Sequence, residues 1–133
     1  MIFLDASFIV AYVNKKDQNH IRAVGIAEEI DSGTYGPQVV SEYILDEVMT
    51  VILSRTRNYE LAVSEGRAIL KYVFVKSSEA LLEKTWKIFS TQKEPYISFT
   101  DCNIIAICEM KGIKTLATFD MNLGEKCGLI IVG

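Results

Sequence analysis

Short apolar runs of the β type alternate with longer helical stretches along the whole chain. The apolar runs predict five strands, at residues 1–4, 35–38, 72–75, 115–119 and 129–132. The stretches between them predict helices at about residues 7–13, 18–30, 39–55, 59–71, 79–91 and 101–111. Strands that alternate with helices mostly pair in parallel through right-handed crossovers. We therefore expect an α/β fold of three layers (α/β/α) with a central, mainly parallel sheet, in one domain over residues 1–133.

Local signals set the expected ends of two helices. Thr100 is a good N-cap for a helix that opens at Asp101, and Gly112 ends that helix. Ser77 or Ser78 caps the helix before it.

The composition indicates a folded chain that works away from membranes. Half of its 133 residues are hydrophobic and no segment is of low complexity, so disorder is disfavoured. No apolar stretch is long enough to span a bilayer, and the apolar N-terminus carries Asp5 and no basic leader. We expect a soluble, cytoplasmic protein with no membrane association.

Cysteine and histidine offer little for a metal site. Cys102, Cys108 and Cys127 are odd in number and lack the close pairing of zinc ligands, so we expect them to pack as small hydrophobes. His20, the only histidine, lies in a polar segment and is expected at a surface or helix start. Zinc chemistry is therefore disfavoured.

The net charge does not identify a partner. The chain carries 17 acidic against 14 basic side chains, a formal net charge of −3, which taken alone argues against a nucleic-acid binder. Four of the acids occupy unusual positions, and without them 13 acids face 14 bases. A nearly neutral surface with local basic clusters therefore stays open.

Four acids interrupt the apolar pattern where charge is least expected: Asp5, Glu47, Asp101 and Asp120. Asp5 and Asp120 follow predicted strands, and the ends of parallel strands form the edge where ligands usually bind. Asp101 opens a predicted helix. Glu47 lies at the margin of an apolar helix face that is built from Val40, Ile44, Val48, Val51 and Ile52. Carboxylates near a core need a cation or several hydrogen-bond donors.

Each acid also has an ordinary structural explanation. Capping accounts for Asp5 or Asp101 taken singly, and a boundary glutamate that reaches out to solvent or to a base accounts for Glu47. Together, however, the acids would repel one another by roughly 4 kcal/mol per close pair at an effective dielectric constant of about 20. Oxygen-only ligands suit Mg²⁺ or Mn²⁺, which hold phosphate oxygens and activate water. The four acids therefore predict a divalent-metal site for hydrolysis of a phosphate ester.

Four segments in order along the chain carry a family resemblance. Residues 2–7 (IFLDAS) look like a hydrophobic-Asp-x-Ser/Thr opening, and residues 40–47 (VSEYILDE) look like a segment with a helical acid. Residues 99–103 (FTDCN) and 117–120 (ATFD) look like third and fourth acidic segments. In this order they resemble the PIN domain family and, within it, the VapC-like stand-alone proteins of bacteria and archaea.

The resemblance implies a Mg²⁺- or Mn²⁺-dependent ribonuclease. Asp5, Glu47 and Asp101 would hold the metal, directly or through water, and Asp120 would be a more variable fourth acid. Ser7, two residues after the first acid, would orient that carboxylate or a phosphate.

Two positions depart from the family pattern, and two partners are implied by it. Asn103 stands where the family often has Ser or Thr. We expect it to be a polar group behind the metal ligands and not a ligand itself. After Asp120 the chain reads Met-Asn-Leu, without the basic or histidine residue often found there. A VapC-like protein would also form a homodimer and bind an antitoxin whose segment blocks the acidic pocket.

The expected reaction is hydrolysis of RNA phosphodiesters by a metal-activated water. Basic residues in connecting segments either contact the RNA backbone or are ordinary solvated charges: Lys15, Lys16, Arg55 and Arg57. One alternative is an inactive RNA- or protein-binding module of the same fold, against which the presence of all four acids argues. A haloacid dehalogenase-type phosphohydrolase is a poorer alternative, because it needs a second Asp where this chain has Ser7, and a downstream lysine.

Overall fold

Five parallel strands form the central sheet of the computed structural model, which describes residues 1–133. The strands lie in the order β3-β2-β1-β4-β5, and every neighbouring pair is parallel. Their bounds are β1 Ile2–Leu4, β2 Gln38–Ser41, β3 Val73–Val75, β4 Thr115–Ala117 and β5 Ile130–Val132. The predicted α/β/α fold with a parallel sheet is confirmed.

Seven helices connect and cover the strands. Helices α1 to α4 pack on one another, and α5 packs on α6. Their bounds are α1 Ala6–Val13, α2 His20–Asp31, α3 Glu42–Thr56, α4 Tyr59–Ile69, α5 Glu79–Ser90, α6 Phe99–Lys111 and α7 Met121–Lys126. None of them is long and apolar enough to cross a membrane.

The core lies around β1, the middle strand of the sheet. All three residues of β1 are buried, as is typical of a strand covered on both faces. On α6, seven consecutive residues from Cys102 to Cys108 are buried, and all three cysteines are free thiols. The cysteines of α6 therefore pack as the small hydrophobes that the sequence predicted.

The prediction was wrong at the start of α3. Val39 and Val40 belong to strand β2, and α3 begins only at Glu42, behind the N-cap Ser41. A short buried strand and a buried helical turn give the same apolar run, so periodicity alone could not separate them. The predicted strand at residues 35–38 was therefore placed about three residues too early.

The start of α6 and the presence of α7 also differ from expectation. Ser98, not Thr100, is the N-cap of α6, because Ser98 and Asp101 form a reciprocal capping box. The short helix α7 was not predicted, since six residues are too few to show a helical period. The predicted end of α6 at Gly112 is confirmed, and this glycine has the left-handed φ of 67° that such an end favours.

Candidate functional site

A cavity of about 460 Å³ opens beyond the carboxyl ends of β1 and β4. Asp5 follows β1 directly, and Asp120 follows β4 after two residues. The cavity, called the acidic pocket below, is lined by all four acids that the sequence singled out: Asp5, Glu47, Asp101 and Asp120. Residues that are up to 115 positions apart are thus brought to one site, as the parallel-sheet argument expects.

Asp5 lies at the bottom of this pocket and is only 6% exposed. Its Oδ1 accepts a hydrogen bond from the Ala6 amide at 2.8 Å. Its Oδ2 accepts two more, from Ser7 Oγ at 2.6 Å and from Thr118 Oγ1 at 2.7 Å. Three donors therefore replace water around a buried carboxylate.

The hydroxyls of Ser7 and Thr118 also join the ends of β1 and β4. Ser7 Oγ accepts from the Phe119 amide at 3.0 Å, and Thr118 Oγ1 accepts from the Asp120 amide at 3.0 Å. We call the unit of Asp5, Ser7 and Thr118 the floor of the pocket. Sequence reasoning named Ser7 but missed Thr118, because the burial of this threonine and its hydrogen bond to Asp5 exist only in the folded chain.

Helix α3 supplies a second side of the pocket. Glu47, Val51 and Arg55 all line it, and their four-residue spacing places them on one face of the helix. We call these three residues the α3 wall. Glu47 is exposed and forms no hydrogen bond or ion pair in this structure. Its predicted position at the margin of an apolar face agrees with the buried neighbour Val48.

Asp101 and Asp120 combine capping with a place in the pocket. Asp101 Oδ2 accepts from the Ser98 amide at 3.2 Å, and Asp120 Oδ1 accepts from the Leu123 amide at 3.1 Å. Each capping bond occupies one carboxylate oxygen. The structural and functional explanations of these acids therefore do not exclude one another.

Burial and neighbouring acidic charges raise the pKa values of Asp5, Glu47 and Asp101. Burial raises the pKa of Asp5, against the lowering effect of its three hydrogen bonds, and the charge of Asp120 raises it further. Loss of water raises the pKa of Glu47, followed by the charges of Asp5, Asp101 and Asp120. Burial also raises the pKa of Asp101, against the lowering effect of its hydrogen bonds with Ser98, and the charges of Asp5 and Asp120 raise it further. Each charge thus acts on the others across one small space.

No basic side chain neutralises these four acids. The two ion pairs of the chain are Arg55–Asp17 and Lys84–Glu109, and neither includes one of the four. Oxygen is the only donor type they offer, which suits a hard divalent cation. No three His, Cys, Asp or Glu side chains are close enough together here to hold one ion between them. Because Mg²⁺ commonly binds through one or two carboxylates and keeps several waters, the donor set fits such an ion with part of its shell supplied by water.

The pocket also contains residues that the sequence did not single out as a group. Asp17, Gln18 and Asn19, from the segment between α1 and α2, line it together with Ser98. Asn103 does not line the pocket: its side-chain amide donates to Thr85 Oγ1 at 3.1 Å, on the side of α6 that faces α5. Two residues along a helix turn a side chain to a different face, which explains this separation from Asp101.

Comparison with known proteins gives one family and several structural neighbours. The PIN domain family model matches residues 2–129. Among solved structures, the chain is similar to Mycobacterium tuberculosis VapC20, a sarcin-ricin loop cleaving toxin, at 25% identity and a TM-score of 0.79 over 94% of both chains. No curated protein matches the sequence significantly.

Two further neighbours show the fold at lower identity. FitAcB from Neisseria gonorrhoeae is 15% identical, with a TM-score of 0.71 over 100% of this chain and 97% of that chain. VapBC2 from Rickettsia felis, bound to a DNA fragment from their promoter, is 18% identical, with a TM-score of 0.70 over 99% and 98%.

Proposed function

This chain belongs to the PIN domain family, and on that premise we propose that it is a divalent-metal-dependent endoribonuclease, the toxin of a toxin–antitoxin pair, in one domain over residues 1–133. The observation that carries the proposal is the acidic pocket, which four carboxylates without a basic partner line together. Carboxylates that repel one another across a shared pocket are stabilised in their ionised form by a bound cation.

In this proposal Asp5, Glu47 and Asp101 hold the ion, directly or through water, and Asp120 is the fourth acid. Mg²⁺ or Mn²⁺ would supply positive charge to the phosphate oxygens and lower the pKa of a water. Ser7 and Thr118 fix the direction of the Asp5 carboxylate and, by donating to it, favour its ionised form.

The partners follow from the relatives and from the charge of the pocket. The similarity to a toxin that cleaves the sarcin-ricin loop supports RNA as the substrate class. The VapBC2 neighbour supports an antitoxin partner, and a basic side chain of that partner would fit among the acids. We also propose that the chain forms a homodimer, as its resemblance to VapC-like proteins implies. Because the chain matches the PIN domain family, we do not propose the haloacid dehalogenase-type activity.

A cleavage assay with a mixed RNA pool and with an RNA hairpin that carries a sarcin-ricin loop tests this function. Wild-type protein is incubated with Mg²⁺, Mn²⁺ or EDTA, beside Asp5→Asn as the site variant and Glu83→Gln as an exposed control outside the pocket. We expect cleavage that requires metal and that falls at least about 100-fold in Asp5→Asn. Wild-type rates in Asp5→Asn, or RNA binding without any cleavage by the wild type, would contradict it and favour the inactive binding module.

A further inference from the structure

One basic side chain, Arg55, lies among the five acids that line the pocket. The carboxylates of the pocket repel the phosphates of an approaching RNA strand. A basic side chain in the lining of the pocket would offset that repulsion. Arg55 is the only lining residue that carries one. Lys15, Lys16 and Arg57, the other basic candidates from the sequence, do not line the pocket.

The geometry of helix α3 sets the distance between Arg55 and Glu47. Glu47 and Arg55 are eight residues apart on the same helix face, with Val51 between them. Eight residues along an α-helix span about 12 Å. Arg55 is therefore displaced from Glu47 by about two turns of α3.

Arg55 is held loosely enough to change partners. Its Nη1 is 3.8 Å from Asp17 Oδ2, and its side chain is 57% exposed. Asp17 also has a second partner, because its other oxygen, Oδ1, accepts a hydrogen bond from the Asn19 amide at 2.8 Å. A long, exposed ion pair of this kind contributes little stability, so the guanidinium can turn to a phosphate at small cost.

Neutral donors line the same pocket as Arg55. Gln18 and Asn19 follow Asp17, the ion-pair partner of Arg55, in the chain, and their side-chain amides form no hydrogen bond in this structure. Asn19 is the N-cap of α2, yet its side chain makes no capping bond. Residues of this type at an N-cap usually do, so the amide remains available to another partner.

We propose that Arg55 binds a phosphate of the RNA strand other than the one that is cleaved, with the side-chain amides of Gln18 and Asn19 as neutral donors in the same pocket. This inference rests on the proposed ribonuclease function and deepens it. A guanidinium matches a phosphate with two parallel hydrogen bonds, which sets the direction of the strand across the acids.

The competing explanation is purely structural. Arg55 is the basic residue in the last turn of α3, where a cation is favoured by the helix dipole, and it also pairs with Asp17. Arg67 offers a matched control, because it is an exposed arginine in the last turn of α4 that lines no part of the acidic pocket. A structural role predicts that the two arginines behave alike towards RNA.

The test measures RNA binding by fluorescence anisotropy with a labelled single-stranded oligonucleotide and Mg²⁺. Arg55→Gln, Arg55→Lys and Arg67→Gln are each placed in the Asp5→Asn background, so that the RNA stays intact. We expect Arg55→Gln to weaken binding about tenfold and to reduce the slope of log K against log salt by about 0.7. Arg55→Lys should keep the slope, and Arg67→Gln should change neither quantity. In the active background, Arg55→Gln should raise KM more than it lowers kcat.

The two hypotheses fail in different ways. Equal salt slopes for Arg55→Gln and Arg67→Gln, with RNA bound and cleaved by the wild type, would overturn the role of Arg55 alone. A wild-type protein that neither binds nor cleaves RNA would overturn the ribonuclease proposal, and this inference with it.

Discussion

Asp5, on the floor of the acidic pocket, accepts three hydrogen bonds, whereas Glu47, on the α3 wall, accepts none. On the floor Asp5 and Thr118 are buried and Ser7 is half-buried, and the two hydroxyls join strand ends that are more than a hundred residues apart in the chain. On the wall Glu47 and Arg55 are exposed and Val51 is half-buried, and all three belong to one continuous helix. A buried carboxylate must be positioned by the fold, because losing water without replacement costs several kcal/mol. An exposed one can be left free until a ligand orders it, so the same charge has different structural consequences in the two regions.

The largest expected effect separates activity from stability on the wall. Glu47→Gln should lower kcat/KM for RNA by at least about 100-fold, while the free energy of unfolding stays the same or rises, because no hydrogen bond is lost. Initial rates and chemical denaturation measure the two quantities, with Glu83→Gln as the exposed control. A clear loss of stability in Glu47→Gln would show that the wall, too, is held by structure.

A substitution on the floor, unlike one on the wall, should lower the stability of the fold as well as the activity. Thr118→Val removes the donor to Asp5 Oδ2 and the acceptor of the Asp120 amide, so we expect a loss of about 2 kcal/mol in unfolding free energy. Cleavage should also fall by about 10–100-fold, since the carboxylate loses its orientation.

Thr85→Val is the matched control for the floor. Thr85 is another fully buried threonine whose hydroxyl donates to a carbonyl and accepts from Asn103. It lies outside the pocket, so its replacement should reduce stability by a similar amount and leave the cleavage rate per folded molecule unchanged. Equal loss of activity in both variants would refute a special role for the floor.

Binding of a divalent ion should stabilise the whole chain by drawing both regions together. At ten times the dissociation constant, the expected gain is about 1.4 kcal/mol, or about 5 °C in Tm for a chain of this size. Thermal melts with Mg²⁺ or Mn²⁺ measure it. Asp5→Asn and Glu47→Gln should each show a smaller shift, and an undiminished shift in both variants would place the ion elsewhere.

The smallest effect is a dependence on pH in the metal-free protein. Because the folded state raises the pKa of Glu47 above its ordinary value of 4.5, the folded chain takes up a proton before the unfolded chain does. Stability therefore rises as the pH falls through the raised pKa, and the rise ends near 4.5. At neutral pH, Glu47→Gln should be more stable than wild type by no more than about 1 kcal/mol, and this advantage should shrink on acidification. An advantage that grows at lower pH would reverse the sign of the argument.

The alternation of strands and helices was readable because burial imposes a period on each element. It correctly gave a parallel sheet and the end of β1 that precedes Asp5, but it extended β4 to Phe119, two residues beyond its end at Ala117. It failed at Val39 and Val40, where a buried strand and a buried helical turn look alike. It failed also at Ser98, since two polar residues competed for one cap and only the reciprocal bond with Asp101 decided between them.

The four acids were identified from sequence because charge is out of place in an apolar pattern. The residues that support them were harder to see: Thr118 reads as an ordinary polar residue, and Arg55 as ordinary solvated charge. Both belong to the pocket only because distant segments fold against each other. Asn103 shows the reverse, since it is near Asp101 in sequence but directed to α5 in the fold.

The sequence by itself determined the order of elements, the parallel sheet and which acids stand at the edges of its apolar runs, because these depend on local burial and on the period of each element. Only the tertiary structure decided that Asp5 is held by three donors while Glu47 is free, that Thr118 completes the floor, and that one arginine lies beside the acids. The hydrogen bond from Thr118 to Asp5 joins residues 113 positions apart, and contacts between separate segments depend on three-dimensional distance, which no local pattern encodes.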